Sequence, residues 1–378
     1  MNPIIVEIAR RGGVPFVDFM ALALYHDTAG YYTRPRRGAG PAGGEGDFVT
    51  APTASPLLAT TLACMLRRLA LDLGTGLTFV ELAAGEGRLI EALVAALGDD
   101  RRDVIRQICA VETATWAGER LARRVPDAVV ARKLQGLARP RGPVVLFASE
   151  LYDAVPCRRV VVAAVDGRLE LREFWVVPAP GRRLVFETRP VTDREPARYF
   201  AQHGVSLAVG QVAELRLGVR AMHGATLAWC GRDGVALVLD YGYPARRLYD
   251  PRGRAGGSLV GYRRHRLVEN VLLAPGRCDI TAHVNFDDLM AGAGDAGWDR
   301  GEVRPLGSFL ALHGAFDLLP AAVASGGVLK PDEWATFAAA RRLLLPSGMG
   351  SDLKVLAQGR GAAWSSFCEM QTPPPIEA

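Results

Sequence analysis

Short apolar runs alternate with amphipathic stretches along the first half of the chain. Between the runs, apolar residues recur at helical spacing over 87–97 and 114–125. Strands that alternate with helices in this way are typical of a parallel sheet covered on both faces, so the sequence predicts an α/β, Rossmann-like fold. The runs that predict its strands are TFVELAA (78–84), QICAVE (107–112), AVVARKL (128–134) and GPVVLFASE (142–150).

Further elements extend this core on both sides. The stretch 158–178 predicts two strands around Asp166-Gly167, a dipeptide typical of tight hairpin turns, and 234–243 predicts one more buried strand. We therefore expect one elaborated domain with added helical elements and a β-hairpin insertion. Additional helices are predicted at 16–25, 53–73 and about 206–230.

Composition excludes several classes of protein. The net charge is +5, but no long basic run interleaved with aromatic residues is present, so we expect no nucleic-acid substrate. No apolar run approaches the roughly 20 residues that cross a bilayer, and the N-terminus MNPIIVEIARRGGVPF lacks a signal-peptide core. We expect a cytoplasmic protein without membrane contact. The six cysteines include no C-x-x-C pair, so no metal site is expected.

The first strand leads into a glycine loop, FVELAAGEGRL (79–89), which is how nucleotide-binding strand–loop–helix units begin. Gly85 and Gly87 permit a tight turn and close approach of a ligand. The third glycine of a dinucleotide loop is missing. In addition, Glu86 would face the pyrophosphate at the helix N-terminus, so the loop disfavours NAD or FAD.

S-adenosylmethionine fits this loop better, because it carries a sulfonium and an ammonium group and no phosphate. Glu81 and Glu112 end the first two strands, and a carboxylate at Glu112 can accept both ribose hydroxyls. The sequence therefore predicts Glu81, Gly85, Gly87 and Glu112 as cofactor-binding residues. A purely structural turn, with Glu86 placed on a helix dipole, is the alternative.

Several stretches in order resemble one family, the MidA-like methyltransferases, which include a mitochondrial assembly factor for respiratory complex I. The resemblance implies a class I S-adenosylmethionine-dependent fold and, for the mitochondrial members, symmetric dimethylation of a protein arginine. Three of the family's motifs are altered: Ala83 and Glu86 lie within the glycine loop, with Glu86 in place of an arginine, Thr53 replaces a carboxylate, and Ser149 replaces the asparagine that begins the family's N-E-F-F-D-A. The matching stretches are HDTAGYY (26–32), GDFVTAP (46–52), VELAAGEGRL (80–89), ASELYDAVP (148–156), LVLDYGY (237–243), CDITAHVNF (278–286) and MGSDLKVLAQG (349–359).

The resemblance also implies roles for further residues. It places GDFVTAP over the cofactor, so that Asp47 would bind the ammonium group, Phe48 would cover the methyl group and Thr50 would bond a carboxylate. An arginine acceptor would need carboxylates to grip its guanidinium. The predicted catalytic residues, at the end of the fourth apolar run, are Glu150, Tyr152 and Asp153.

Three functions stay open at this point. The first is a protein arginine methyltransferase, the second a methyltransferase for a small molecule, and the third a cofactor-binding assembly protein with little catalysis. A homodimer is one possible arrangement. We divide the chain into a segment closing over the cofactor (1–52), a methyltransferase core with insertions (53–305), C-terminal helical and strand elements (306–360) and a tail (361–378).

Overall fold

The structure is a computed structural model that describes residues 2–34, 41, 47, 49–321, 323 and 328–371. The strands of these residues are β1 Val14–Pro15, β2 Leu77–Leu82, β3 Ile105–Val111, β4 Ala128–Ala131, β5 Val144–Ser149, β6 Arg158–Val165, β7 Arg168–Ala179, β8 Arg183–Pro190, β9 Val212–Leu215, β10 Gly234–Tyr243, β11 Val260–Arg263, β12 Arg266–Val268, β13 Asp279–Thr281, β14 Val284–Asn285, β15 Glu302–Pro305 and β16 Leu353–Arg360.

The helices of the same residues are α1 Pro3–Arg10, α2 Phe16–Tyr25, α3 Ala51–Ala54, α4 Leu57–Leu73, α5 Arg88–Leu97, α6 Arg101–Val104, α7 Thr115–Arg124, α8 Glu195–Gln202, α9 Val219–Cys230, α10 Ala245–Leu248, α11 Phe286–Asp295, α12 Leu306–Leu312, α13 Pro331–Leu344, α14 Met349–Asp352 and α15 Gly361–Met370. None of these helices is long and apolar enough to span a membrane.

The chain forms two compact units, whose segments alternate along the sequence. Unit 1 comprises Met1–Phe48, Leu151–Met222 and Tyr241–Leu289, and unit 2 comprises Val49–Glu150, His223–Asp240 and Met290–Ala378. Long excursions between strands of unit 2 build the separate sheets of unit 1, which the strand pattern of the first half does not reveal. The predicted segment boundaries stay a prediction.

Unit 2 contains the parallel sheet that the sequence predicts. Its strand order is β15-β16-β10-β5-β2-β3-β4. The strands from β10 to β4 pair in parallel, whereas β15 and β16 pair antiparallel. After β2 the chain moves outward through β3 and β4, then returns to the other side of β2 with β5. This reversal is the topological switch point at which open α/β sheets bind ligands.

The central strands form because their sequences are apolar throughout. All six residues of β2 are buried, as are the first five of β5 and the first seven of β10. Burial on both faces is expected of a parallel sheet between helix layers. The predicted strand ends differ from the structure by a few residues only.

Unit 1 contains an antiparallel sheet in the order β1-β7-β6-β9, with β8 added on β7, and a small sheet β12-β11-β13. The predicted hairpin is confirmed: β6 and β7 pair antiparallel from Val160↔Glu173 to Val165↔Arg168. Asp166 (φ 50°) and Gly167 (φ 75°) form its two-residue turn. A core of α1 and α2 side chains packs within this unit, with Ile4, Phe16 and Phe19 fully buried.

Three local predictions need correction. The helix predicted at about 206–230 is β9 followed by α9, because short apolar runs suit either structure and β9 pairs with β6. The helix predicted at 53–73 is split at Ser55, whose Oγ accepts from the Leu57 N–H and so begins α4. Residues 361–370 of the predicted tail form α15, which buries Ala363 and Phe367. The rest of the tail beyond residue 371 lies outside the described residues.

Candidate functional site

Three carboxylates stand at the carboxyl ends of neighbouring strands of unit 2. Glu81 is the penultimate residue of β2, Glu112 follows β3, and Glu150 follows β5. Because β5, β2 and β3 are adjacent and parallel, these ends meet at one edge of the sheet. The edge is at the switch point described above, so the sheet itself places a ligand site there.

The glycine loop between β2 and α5 runs through left-handed backbone. Gly85 has φ 55°, and a side chain added there would meet nothing within 4 Å, so the loop is open on that side. Gly87 has φ 76°, and an added Cβ would come within 2.7 Å of Leu121 Cγ on α7. Gly85 therefore leaves room for a ligand, whereas Gly87 lets α5 begin close against α7.

Glu112 ties the glycine loop to the end of β3. Its Oε2 accepts from the Gly85 N–H over 2.9 Å, and its Oε1 accepts from the Ala114 N–H over 2.7 Å. Burial raises the pKa of Glu112, and the backbone N–H groups oppose that rise. The carboxylate has four lone pairs, and the N–H groups of Ala114, Gly85 and Thr113 act on three of them, so it keeps capacity to accept from a ribose hydroxyl.

Glu81 has a buried carboxylate oxygen that can accept a hydrogen bond from a ligand. Its side chain is 5% exposed, and within the described part of the chain its Oε2 is buried without a hydrogen-bond partner. Burial, and next the charge of Glu112, raise the pKa of Glu81 to about 8. Buried polar atoms are nearly always paired, so this oxygen suits a ligand that brings a hydrogen-bond donor or a positive charge.

Glu86, at the start of α5, is neutralised by an arginine that the sequence analysis did not identify. Arg120 Nη1 lies 3.2 Å from Glu86 Oε2, and the Arg120 guanidinium lies 5.1 Å from the Trp116 ring centroid. Both partners come from α7. No sequence signal links a loop carboxylate to a residue 34 positions later. The one available signal is Glu86 itself, because a carboxylate that differs from the family's loop needs a basic partner.

Glu150 joins the end of β5 to the segment that begins α3. Its N–H donates to the Leu239 carbonyl over 2.7 Å, and its Oε1 accepts from the Ala51 N–H over 3.3 Å. Glu150 has φ 50°, a left-handed conformation that costs a non-glycine residue about 1–3 kcal/mol and is concentrated at functional sites. The half-buried carboxylate is thus held in a fixed direction.

Thr50 and Thr53 form a capping box at the N-terminus of α3. The Thr50 N–H donates to Thr53 Oγ1 over 3.0 Å, and the Thr53 hydroxyl donates to the Thr50 carbonyl over 3.1 Å. The residue that replaces the family's carboxylate therefore has a structural role. The predicted cofactor contact of Thr50 stays a prediction.

The remaining predicted cofactor residues are Asp47, which belongs to unit 1, and Phe48, which is not among the described residues. Asp47 Oδ2 accepts from the Tyr31 hydroxyl over 2.8 Å, and its Oδ1 accepts from the Arg264 N–H over 3.0 Å. The Asp47 carbonyl accepts from the His265 N–H over 2.7 Å. Asp47 therefore holds other parts of unit 1 together, and its role toward an ammonium group stays a prediction. Phe48 lies outside the described residues.

Tyr152 and Asp153, both in unit 1, are less accessible than a catalytic role would suggest. The Tyr152 side chain is fully buried, and Asp153 is 5% exposed. Burial raises the pKa of Asp153 to about 6, partly offset by the nearby Arg216 guanidinium, whose Nη2 donates to the Asp153 carbonyl over 2.6 Å. Of the three predicted catalytic residues, Glu150 alone is partly exposed.

The switch-point sheet, the two-glycine loop and the acidic edge define a class I S-adenosylmethionine-dependent methyltransferase. Residues 57–303 match the family described as "Putative S-adenosyl-L-methionine-dependent methyltransferase", and the chain belongs to that family. It therefore takes S-adenosylmethionine as its cofactor, and Glu81, Gly85 and Glu112 are the residues of this structure that fit it.

Known relatives and a crystal structure agree with this assignment. The chain is 23% identical over 317 residues to "Protein arginine methyltransferase NDUFAF7 homolog, mitochondrial" of Drosophila melanogaster, covering 74% of this chain and 66% of that protein. It is 24% identical over 323 residues to the Danio rerio protein, covering 76% and 70%. A Burkholderia thailandensis protein crystallised with S-adenosyl-homocysteine is 28% identical, with a TM-score of 0.78 over 94% of this chain and 92% of that one.

Proposed function

We propose that the protein methylates an arginine side chain of a partner protein, with S-adenosylmethionine as methyl donor. The observation that carries the proposal is the row of three carboxylates at one edge of the unit 2 sheet. Glu81 and Glu112 would hold the cofactor, which leaves Glu150 for a cationic acceptor. The curated relatives are named protein arginine methyltransferases, which supports the same acceptor.

Glu112 and Glu81 would position the cofactor. When bound, it supplies a methyl carbon that the adjoining sulfonium activates. Glu112 would accept from the ribose hydroxyls with the lone-pair capacity that its backbone donors leave open. Glu81 would pair its buried Oε2 with a ligand donor, and a cation there would favour loss of the proton that burial retains.

Glu150 would act on the acceptor. A carboxylate can accept paired hydrogen bonds from a guanidinium, and it can take up the proton that the methylated nitrogen loses. Its backbone is fixed by the bond to Leu239, and its side chain by the bond from Ala51. Such fixed placement is what an in-line transfer requires, because most of the catalysis lies in alignment.

A small molecule is the second candidate acceptor. It is favoured by one observation: Thr53 stands where the family resemblance expects a carboxylate, and its hydroxyl is engaged in the capping box of α3. An acceptor without positive charge would not need that carboxylate.

The proposal is tested by labelling. The purified protein is incubated with a lysate of its native cells and S-adenosylmethionine carrying a deuterated methyl group, and digested proteins are analysed by mass spectrometry. We expect labelled methyl groups on arginine, and far fewer of them with the Glu112→Ala variant at the same cofactor concentration. Label confined to the small-molecule fraction would replace the proposal with the second candidate. Tight cofactor binding without any transfer would indicate an assembly protein.

A further inference from the structure

The net positive charge of the chain is concentrated in one segment of unit 1, residues 245–277, which we call the Arg-rich segment. It contains eight arginines, opposed only by Asp250 and Glu269. Since the whole chain carries +5, the remaining residues are together close to neutral. The eight are Arg246, Arg247, Arg252, Arg254, Arg263, Arg264, Arg266 and Arg277.

Within the described part of the chain, none of these eight arginines forms an ion pair with a carboxylate. On the antiparallel sheet of the same unit, by contrast, Arg158 pairs with Glu173, and Arg159 with Glu214. Eight positive charges that nearby carboxylates offset only in part repel one another, so a partner of opposite charge would relieve repulsion that the folded chain retains.

Two of the arginines are held against an aromatic ring. The guanidinium carbons of Arg247 and Arg254 lie 4.4 Å and 4.3 Å from the Tyr243 ring centroid. Arg254 Nη1 also lies 2.8 Å from His283 Nδ1. Cation–π contacts of this kind fix the direction of a side chain, and arginines that are fixed in advance lose less entropy when they bind carboxylates.

The tip of the β11–β12 hairpin is also held in place. Arg264 (φ 50°) and His265 (φ 59°) adopt the left-handed backbone of a tight two-residue turn that usually contains glycine. Asp47 stabilises this turn by accepting from both N–H groups. The hairpin therefore presents the exposed side chains of Arg263, Arg264 and Arg266 on a fixed backbone.

The surroundings of these arginines favour a polypeptide over other anions. Leu267 and Leu273, in the same segment, are 65% and 75% exposed, which suits aliphatic side chains of a partner. The tyrosines of the segment, Tyr249 and Tyr262, are buried and half-buried, so the exposed ring of His265 is the one aromatic surface that residues 245–277 offer to nucleic-acid bases. Guanidinium groups match carboxylates through two parallel hydrogen bonds.

We propose that the Arg-rich segment is a docking surface for an acidic, leucine-containing segment of the acceptor protein. The identity of the partner as the acceptor rests on the proposed function, whereas docking is measured without methyl transfer. A failure of docking is therefore distinguishable from a failure of the proposed methyl transfer.

Docking is tested by fluorescence anisotropy with the full-length protein and a short labelled peptide of repeated Glu-Glu-Leu. A Lys-Lys-Leu peptide of the same length is the peptide control. We expect the acidic peptide alone to bind, with affinity that falls as salt is added. The triple substitution Arg263→Gln, Arg264→Gln and Arg266→Gln should weaken binding about tenfold, since three exposed charge pairs are lost.

A matched triple variant of unit 2, Arg102→Gln, Arg139→Gln and Arg141→Gln, removes the same charge from exposed positions. We expect it to bind the acidic peptide like the wild type, and both triple variants to bind S-adenosylhomocysteine normally, which confirms that they fold. Equal losses in the two variants, or no peptide binding by the wild type, would overturn the proposal. Tighter binding of single-stranded RNA, or of phosphatidylserine vesicles, would overturn it in favour of those ligands.

Discussion

The N–H of Gly85 donates to Glu112 Oε2 over 2.9 Å, so the loop that receives the cofactor is held by the residue that would bind its ribose. Replacement of Glu112 by alanine removes both the loop anchor and the ribose contact. Charge-assisted hydrogen bonds contribute about 1.5–3 kcal/mol, so we expect S-adenosylhomocysteine to bind roughly ten- to a hundredfold more weakly by calorimetry. Unchanged affinity in a folded Glu112→Ala protein would mean that the ribose binds elsewhere.

Glu81 makes the stability of the cofactor-free protein depend on pH. In the folded protein the pKa of Glu81 is about 8, above the ordinary value for a glutamate. The contribution of Glu81 to the free energy of unfolding is therefore complete below its pKa in the unfolded chain. That contribution is lost as pH rises through about 8. Within that window each pH unit removes about 1.4 kcal/mol. Glu81→Gln does not titrate, so urea denaturation should show the variant gaining stability relative to the wild type from acid pH to about pH 8. Parallel curves for the two proteins would contradict this account.

The pair Glu86–Arg120 should stabilise the start of α5. The side chains are 9% and 24% exposed, so the coupling energy in a double-mutant cycle with Glu86→Gln and Arg120→Gln should be about 1 kcal/mol. The neighbouring pair Arg124–Glu91, whose glutamate is 54% exposed, is the matched control and should couple by less than about 0.5 kcal/mol. Equal coupling in the two cycles would show that the burial of Glu86 adds nothing.

Ala83 has φ 52°, a left-handed conformation in which the side chain is strained. The strain costs about 1–2 kcal/mol, and replacement by glycine would remove it. Glycine itself costs about 0.5–1 kcal/mol, because it has more conformational freedom in the unfolded chain. We therefore expect Ala83→Gly to raise the free energy of unfolding by about 0.5 kcal/mol. Ala84→Gly, one residue along the same loop, serves as the control and should lower it. A loss of stability at both positions would rule out strain at Ala83.

Much of unit 2 could be predicted from the sequence, because a central parallel strand must be apolar along its whole length. The strands β2, β3, β5 and β10, and the three carboxylates that end or follow the first three, were found in this way. Unit 1 could not be predicted equally well. Its short strand β9 has a pattern that also suits a helix, and its contacts join distant residues.

The residues of the candidate site also differ in whether neighbouring or distant residues determine their conformation. The loop glycines have a local signature, since backbone conformation is set by neighbouring residues. The pairing of Glu86 with Arg120 joins a loop to the next helix, and the bonds of Asp47 reach a turn 217 residues away. Such pairs are fixed by tertiary packing, which a single sequence does not display.

Glu150 should affect turnover far more than cofactor binding. Glu150→Gln keeps the shape of the side chain but removes the charge that would hold a guanidinium and accept its proton. We expect S-adenosylhomocysteine affinity to stay within about twofold and methylation of the identified acceptor to fall roughly a hundredfold. Glu91→Gln, at an exposed position of α5, should leave both unchanged.

Asp153→Asn, assayed beside Glu150→Gln, tests whether the buried Asp153 takes part in turnover. Because Glu150 alone of the three predicted catalytic residues is partly exposed, we expect a severe loss of turnover in Glu150→Gln and a smaller loss in Asp153→Asn. Normal turnover in both variants would show that residues 150–153 are structural.

The most direct test of the acidic edge of unit 2 is a crystal structure of the protein with S-adenosylhomocysteine and an arginine-containing peptide. The account predicts both ribose hydroxyls within hydrogen-bonding distance of the Glu112 carboxylate, a ligand donor on Glu81 Oε2, and the guanidinium on the Glu150 carboxylate. A ribose bound away from Glu112, or a guanidinium bound away from Glu150, would contradict it.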